Sequence, residues 1–443
     1  MRGRLAVVLD ELTGNFWFIP SVMTAGAVGL AAAATALDQG DHVDWLRRAG
    51  FYDRLQLENA RLIVSTIAGS MITVTSLVFS LTLIALTLAS QQLGPRLLSV
   101  FMRDRITQVV LGLFVATFLY SLLILAALSD VNDSWSTPAL SILLALLLAV
   151  VSVGFLISFI HHLANSMQAD TVIARMGADL ARQVTRIFPE RTEESDDDPE
   201  ATAASEQQFD DAGDISAGSS GYIQTVDVDS LLECATEHDL EIILHRRAGD
   251  FVCEGETLAS VTPQRALGDS VRADLASTIV LGRTRTPVQD LEFAMSAIVE
   301  IALRALSPGV NDPYTAVTCI DQLGDTLSRV LRRGPSIARH ADAEGRVRLI
   351  VPTITLDNVL DMAFNEIRQS AKDNVSVTLR LLDTLVRLAR LARSEPARAA
   401  IRRHAEMIGR SAKEHIGEPR DLDDVGERLT ELDARLTEVR VTR

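Results

Sequence analysis

Lysine is nearly missing from this chain: among 42 Lys and Arg residues, only Lys372 and Lys413 are lysines. That excludes a phosphate loop ending in G-K-[ST], whose lysine reaches the terminal phosphates, and leaves no lysine in a motif suited to a Schiff base. Cysteine is scarce too. Cys234, Cys253 and Cys319 are odd in number, far apart and outside any C-x-x-C spacing, so they suggest neither a disulfide framework nor a metal site. They read as small hydrophobes in a reducing compartment. Charge is missing from four long apolar runs, which contain no Asp, Glu, Lys, Arg or His, although proton relays, voltage sensors and ion-coupled carriers rest on such groups. Coupled transport is disfavoured, leaving a passive path or a plain anchor.

The charge that is present sits mostly after residue 165 and is acidic, with a formal net charge of −16 over the 443 residues. An acidic soluble half argues against a nucleic-acid partner, since phosphate neutralisation by Lys and Arg supplies most of that affinity.

The apolar runs span roughly Phe16 to Leu37, Leu62 to Ala89, Thr107 to Leu128 and Ala139 to Ile160. At 1.5 Å per residue each is long enough for a hydrocarbon core of about 30 Å, so the lipid bilayer is the first partner. The first exceeds the about 7 to 15 apolar residues of a signal peptide, and Asp10 and Glu11 interrupt its approach, which reads as a retained helix. Arg2, Arg4, Arg96, Arg103, Arg105, Arg175, Arg182 and Arg186 fall on one side of the membrane, against Arg47, Arg48, Arg54 and Arg61 on the other. The richer side is expected to be cytoplasmic, which places the protein in a bacterial inner membrane with both termini in the cytoplasm. Trp17, Trp45 and Trp135 fall where interfacial aromatics belong. The outer loop from Asp41 to Arg61 interleaves apolar and charged residues like a surface-lying amphipathic helix.

The second run is longer than the bilayer requires and rich in hydroxyls. Thr66, Thr73, Ser80 and Thr87 recur every seven residues, with Gly69, Ser76 and Ser90 on neighbouring helical positions. Such a stripe serves either as a helix-packing seam or, in a homo-oligomer, as the lining of a water-filled path. Thr66, Thr73, Ser76, Ser80 and Thr87 are the pore-lining candidates on the second reading. His161 and His162 close the fourth run; adjacent residues diverge on a helix, which favours interfacial anchoring over metal ligation.

The fold class that follows is a four-helix transmembrane domain over 1–165, then a juxtamembrane helix over 166–189 and an acidic flexible linker over 190–221. A small α+β module over 222–264 and a mostly helical cytoplasmic domain over 265–443 complete it. In the module, "YIQTV", "LEIILH", "FVC" and "TLASV" are strand-like around a helix through "DSLLECATEH". The hairpin run "GDFVCEGETLASV" resembles in shape that of biotinyl and lipoyl carrier domains, without a lysine to carry a cofactor. Beyond it, Thr286, Pro287 and Gln289 predict a cap for a helix that runs to Ala305. The stretch "ALSPGVNDPYTA" then reads as a helix corner: Ser307, Pro308 and Gly309 end one helix, Asn311 or Asp312 caps the next, and Pro313 occupies its first turn. Asp312 would repel an anion from that new N-terminus. "RVRLIV" is a strand candidate, and helices follow near Leu356 to Ser370, Val375 to Ala392 and Ala397 to Ile416. Arg380, Arg387, Arg390, Arg393, Arg398, Arg402, Arg403 and Arg410 read as a solvated face, or one that docks the acidic linker or inner leaflet. The last helix presents Val425, Leu429, Leu432, Leu436 and Val439 as a narrow stripe able to pair with a second copy.

The runs "LVFSLTLIALTLASQQLGPRLLSVFMRDRITQVVLGLFVATFLYSLLIL", "FIHHLANSMQADTVIARM", "GDFVCEGETLASV" and "RTPVQDLEFAMSAIVEIALRALSPGVNDPYTAVTCIDQL" resemble a family of bacterial predicted membrane proteins, the domain of unknown function twenty-two fifty-four. That resemblance covers most of the chain except the acidic linker and the C-terminal end. It implies membrane topology and carries over no activity, catalytic residue, metal or cofactor.

Three functions compete. A homo-oligomeric channel uses the hydroxyl stripe; a non-conducting scaffold or sensor binds a cytoplasmic protein partner through the soluble half. An enzyme would need acids such as Asp290, Glu292, Asp312 and Asp321, yet no H-E-x-x-H, G-x-S-x-G or zinc spacing accompanies them. Carboxylates here are expected to pair with neighbours, as Glu300 would with Arg304. No catalytic site is expected.

Overall fold

The structure is a computed structural model describing residues 16–39, 57–94, 104–129, 138–166, 168–188, 211–333, 339–352 and 354–438. Residues 41–56 of the outer loop, Trp45 among them, Trp135 and most of the acidic linker lie outside the described residues, while the last five residues of that loop reading belong to the second span's helix. The chain divides into two compact units, 1–168 and 169–443.

In the first unit the apolar runs form α1 (Phe18–Gln39), α2 (Leu57–Leu93), α3 (Arg105–Ser129) and α4 (Ala139–Ser166), each long and apolar enough to cross a membrane. α3 is the central helix. Of its most apolar window 56% is buried, against 22% for α1 and for α4 and 11% for α2. Tyr120, Ile124 and Leu128 of α3 pack with Ala27 and Ala31 of α1, Val64 and Met71 of α2, and Ile142 and Ala145 of α4. Gly112 lets α1 and α3 close up: a Cβ there would lie 3.1 Å from Pro20 Cα.

Polar side chains tie the helix ends where unmet backbone groups accumulate. Asp38, at the end of α1, accepts from Leu140 N and Ser141 N at 3.0 Å and from Ser141 Oγ at 2.6 Å, capping α4. Arg61 donates to the Leu128 carbonyl at 2.6 Å, near the last turn of α3.

In the second unit, α5 (Ala169–Ile187) buries Val172, Ile173, Met176, Leu180 and Val184 against the later helices α8 (Leu291–Ala305) and α9 (Pro313–Arg333). Between them lies an α+β portion larger than the sequence suggests. Its strands are β1 (Gly213–Ser216), β2 (Gly221–Val226), β3 (Glu241–Leu244), β4 (Phe251–Val252), β5 (Thr257–Thr262) and β6 (Ile279–Gly282). Helices α6 (Val228–Glu237) and α7 (Asp269–Ser277) complete the segment. β7 (Arg339–Ala341) and β8 (Val347–Ile350) come from beyond α9. One sheet has the order β1-β5-β3-β8-β7 and the other β4-β2-β6. β8 runs parallel to β3, with Ile242 opposite Leu349 and Ile243 opposite Ile350. A shared core of Ile215, Ile223, Leu231, Leu244, Val261 and Leu349 joins both sheets to α6 and α7.

Several readings change here. β1 lies inside the segment read as acidic linker; its alternating burial and pairing with β5 outweigh a polar composition. The segment resembling a carrier-domain hairpin is none: β4 pairs with β2 and β5 with β1 and β3, in different sheets. α8 starts later than its Thr-Pro signal. Asp290 is the cap, accepting from Phe293 N at 2.9 Å, while Gln289 hydrogen-bonds Val226 N at 2.9 Å and Val226 O at 3.0 Å, like an extra strand residue.

The last helices, α10 (Leu356–Ser370), α11 (Val375–Ala389), α12 (Glu395–His415) and α13 (Pro419–Glu438), form a bundle beside α9. Most of the stripe of α13 is spent within the chain: Val425, Leu432 and Leu436 are buried and Leu429 is half-buried as α13 packs on α11 and α12, while Val439 lies outside the described residues.

Candidate functional site

α2 has two faces of opposite use. Val64, Met71, Val78 and Ala85, seven residues apart, are buried in the first unit. Thr66, Thr73, Ser80 and Thr87, two positions further on and so rotated by about 200°, are exposed, as are Gly69 and Ser76. The hydroxyl stripe therefore takes no part in packing α2 against its own bundle. Thr66 donates to the Leu62 carbonyl at 2.7 Å, Thr73 to Gly69 at 2.9 Å, Ser76 to Ile72 at 3.0 Å and Thr87 to Leu83 at 2.8 Å. Each proton is thus spent inside the helix, and what these hydroxyls turn outward is an oxygen lone pair, an acceptor suited to a cation or to water. Large apolar residues border the stripe, Leu77, Ile84 and Leu88 on one side and Ile72, Phe79 and Leu83 on the other, all exposed. Near one end of the helix, Leu83, Leu86, Thr87, Ser90 and Gln91 line an open depression.

The polar seam within the bundle lies elsewhere, between α3 and α4. Thr117 and Ser152, both buried, meet at 3.2 Å, and Tyr120 donates to the Ser141 carbonyl at 3.0 Å. Nothing in a single hydroxyl every few residues marks these in sequence, because α3 and α4 carry them among denser Leu and Val.

Asp104, ahead of α3, accepts from Thr107 Oγ1 at 2.7 Å and from His162 Nε2 of α4 at 2.8 Å. Burial works to raise the Asp104 carboxyl, but the hydrogen bonds from Thr107 and His162 prevail and hold it below the ordinary carboxylate range. His162 thus has a specific carboxylate partner across the helix pair.

At the corner, α8 ends at Ala305 and α9 begins at Pro313. Val310 N and Asn311 N both donate to the Ser307 carbonyl, and Asn311 takes a positive φ of 50° that Asn tolerates. Pro308 and Gly309 lie within this turn. Asp312 accepts from Tyr314 N at 3.1 Å, Thr315 N at 3.2 Å and Thr315 Oγ1 at 2.6 Å. The Thr315 hydroxyl bond is the main cause that holds its carboxyl below the usual range. The corner is built from cap chemistry.

A family model described as "Predicted membrane protein (DUF2254)" matches residues 13–387. The chain belongs to this family. An uncharacterized protein of Mycobacterium bovis and one of Mycobacterium tuberculosis are each 30% identical to it over 435 residues, covering 95% of this chain and 80% of the relative. No solved structure matches. The family match takes in all four spans, both sheets and the corner, and stops within α11.

Within the matched region the acids once weighed as catalytic are engaged. Asp290 receives Arg285 at 2.6 and 2.8 Å, and Glu292 receives Arg247. Asp321 receives Arg387 at 3.1 Å and Arg380 at 3.4 Å, and Arg304 bonds Glu300 at 3.3 Å. The arginine-rich helices follow suit: Arg403 reaches Asp357 and Asp361 at 2.6 and 2.8 Å, Arg428 reaches Asp383 at 3.1 Å, and Arg390 reaches Glu431 at 3.5 Å. These arginines tie helices to one another, which the one-dimensional pattern of a charged face does not show. Burial pushes the Cys319 thiol well above its ordinary value, and no cluster of three or more metal-ligating side chains occurs among the described residues.

Proposed function

We propose that this membrane protein is a homo-oligomeric, non-enzymatic channel of the bacterial inner membrane, with copies of α2 around the path and the second unit as its cytoplasmic assembly or gating domain. The arginine bias of the loops supports cytoplasmic termini. One observation carries the reading: the hydroxyl stripe of α2 points away from the α1–α4 bundle, while Val64, Met71, Val78 and Ala85 do the intrachain packing. Against lipid, such a stripe offers little; around an axis, its outward lone pairs replace part of a cation's hydration, and the bulky borders pack between copies. The 37 residues of α2 extend about 55 Å, well beyond the about 30 Å of hydrocarbon, so the helix continues from the membrane into water.

Purified full-length protein in planar bilayers tests this. Cation-carrying unitary currents are expected, reduced several-fold by Thr73→Leu and by Ser80→Leu. Silence under voltage, tension and ligand sinks the proposal, and silent copies that cross-link through α2 would make the stripe the packing seam of a non-conducting scaffold.

A further inference from the structure

The corner between α8 and α9 exposes more apolar surface than a helix turn needs. Val310 is 60% exposed and Tyr314 84%, beside Pro308 and Pro313. Turns of this kind are ordinarily polar, and a tyrosine held open at the first turn of a helix has no packing role in its own domain.

Its position along α5 says what covers it. α5 and α9 run parallel. Near their C-terminal ends, Arg333 of α9 donates to the Phe188 carbonyl at 2.8 Å and to Thr185 O at 3.3 Å. Midway, Gly177 faces Gln322, whose Oε1 would lie 2.0 Å from a Cβ at 177. Tyr314 is eight residues N-terminal to Gln322, about 12 Å along the axis, and Ala169 is eight residues N-terminal to Gly177, so Tyr314 comes level with the start of α5. The last residue of the apolar span Ala139–Asn165 precedes Ala169 by only four residues. A chain of four residues reaches about 14 Å at most, so the start of α5 cannot leave the vicinity of the membrane surface.

We propose that Val310 and Tyr314 insert into the lipid headgroup interface and seat the corner of the second unit on the bilayer. Tyrosine is enriched at this depth because its ring is apolar and its hydroxyl remains wet. The contact is apolar rather than electrostatic: Asp312, two residues from both Val310 and Tyr314 in sequence, is committed to capping α9 and offers nothing to an anionic lipid. Zwitterionic bilayers therefore suffice. The proposal does not depend on conduction and survives if the channel reading fails.

Full-length protein in zwitterionic phosphatidylcholine vesicles provides the test. Val310→Cys, Tyr314→Cys and Arg329→Cys, each in a Cys234→Ser, Cys253→Ser background, are labelled with NBD and compared in plain and spin-labelled lipid. Arg329 is exposed on the same helix, about 22 Å further along it, and serves as the ruler. The expected result is at least two-fold stronger quenching at 310 and 314 than at 329, with Tyr314→Ser weakening the quenching of a label at 310. Equal quenching at all three positions overturns the proposal. A blue-shifted label at 310 without lipid quenching overturns it too, because it puts the corner against protein, such as a second copy.

Discussion

Gly249 lies directly over the carboxylate of Asp290: a Cβ at position 249 would stand 2.4 Å from Oδ2 and 2.6 Å from Cγ. Asp290 is itself 3% exposed, paired with Arg285 and capping α8, so it cannot yield. Gly249 also holds a φ of +98°, costing a side chain about 1 kcal/mol before any clash. Gly255 has a similar φ of +84° with nothing within 4 Å of its added Cβ. Gly255→Ala should thus cost about 1 kcal/mol, and Gly249→Ala about 3 kcal/mol or more, since it must also displace a buried ion pair. Melting of the two full-length variants in detergent checks the difference.

His404 gives the second unit an acid limit. Its ring is fully buried, edge-on to Phe364 at 6.4 Å, and its Nε2 lies 3.2 Å from Asp361 Oδ1 without the alignment of a hydrogen bond. Burial, with the nearby Arg403 charge, lowers its pKa from 6.5 to about 4, against the opposing pull of Asp361 and Asp357. The folded form holds a neutral imidazole and the unfolded chain binds the proton more readily. The contribution is full above about pH 6.5 and is lost as pH falls toward 4, on the order of 3 kcal/mol in all. Replacing it by the apolar His404→Phe should flatten this limb in denaturant melts at pH 4 to 7, leaving stability at pH 7.5 within about 1.5 kcal/mol.

Asp312→Ala removes three hydrogen bonds from the start of α9 and should cost about 1 to 2 kcal/mol, while Asp312→Asn, itself a good cap, should cost much less. A catalytic carboxylate would give the opposite ranking of concern, with Asn abolishing activity at unchanged stability. Thermal melting of both variants separates the two roles.

How much of this was legible beforehand depended on range. The four spans stand close to where apolar run length put them, and the helices near Leu356 to Ser370 and Val375 to Ala392 close to where apolar periodicity did, because both are local signals that need no partner to be read. What escaped was decided at a distance. β8 joins β3 across about a hundred residues of sequence, and no local feature of "RVRLIV" names that neighbour. The narrow stripe of α13 looks the same whether its partner is a second chain or α11 and α12. The hydroxyl stripe of α2 was visible as a stripe, but its direction was not: a seam and a lining share one sequence pattern, and only the burial of Val78 on the other side tells which way Thr73 faces.

That opposition on α2 yields the sharpest contrast. Val78 is completely buried against Val110, Phe114 and Phe159, whereas Ser76, two positions earlier, is exposed and bonds only its own helix. Val78→Ala opens a cavity in the first unit and should cost about 1 to 3 kcal/mol, leaving any unitary conductance unchanged in the copies that fold. Ser76→Leu should leave the melting of detergent-dispersed monomers within about 0.5 kcal/mol, because all it removes is a bond to the Ile72 carbonyl of its own helix, which is already hydrogen-bonded in the helix ladder. Its effect should appear between copies: a bulky residue on the stripe would narrow the path and crowd the axis, lowering conductance and shifting cross-linked oligomer yield together. If Ser76→Leu instead destabilised the monomer as much as Val78→Ala, the stripe would be packed within the chain after all, and both the lining and the oligomer would lose their motive.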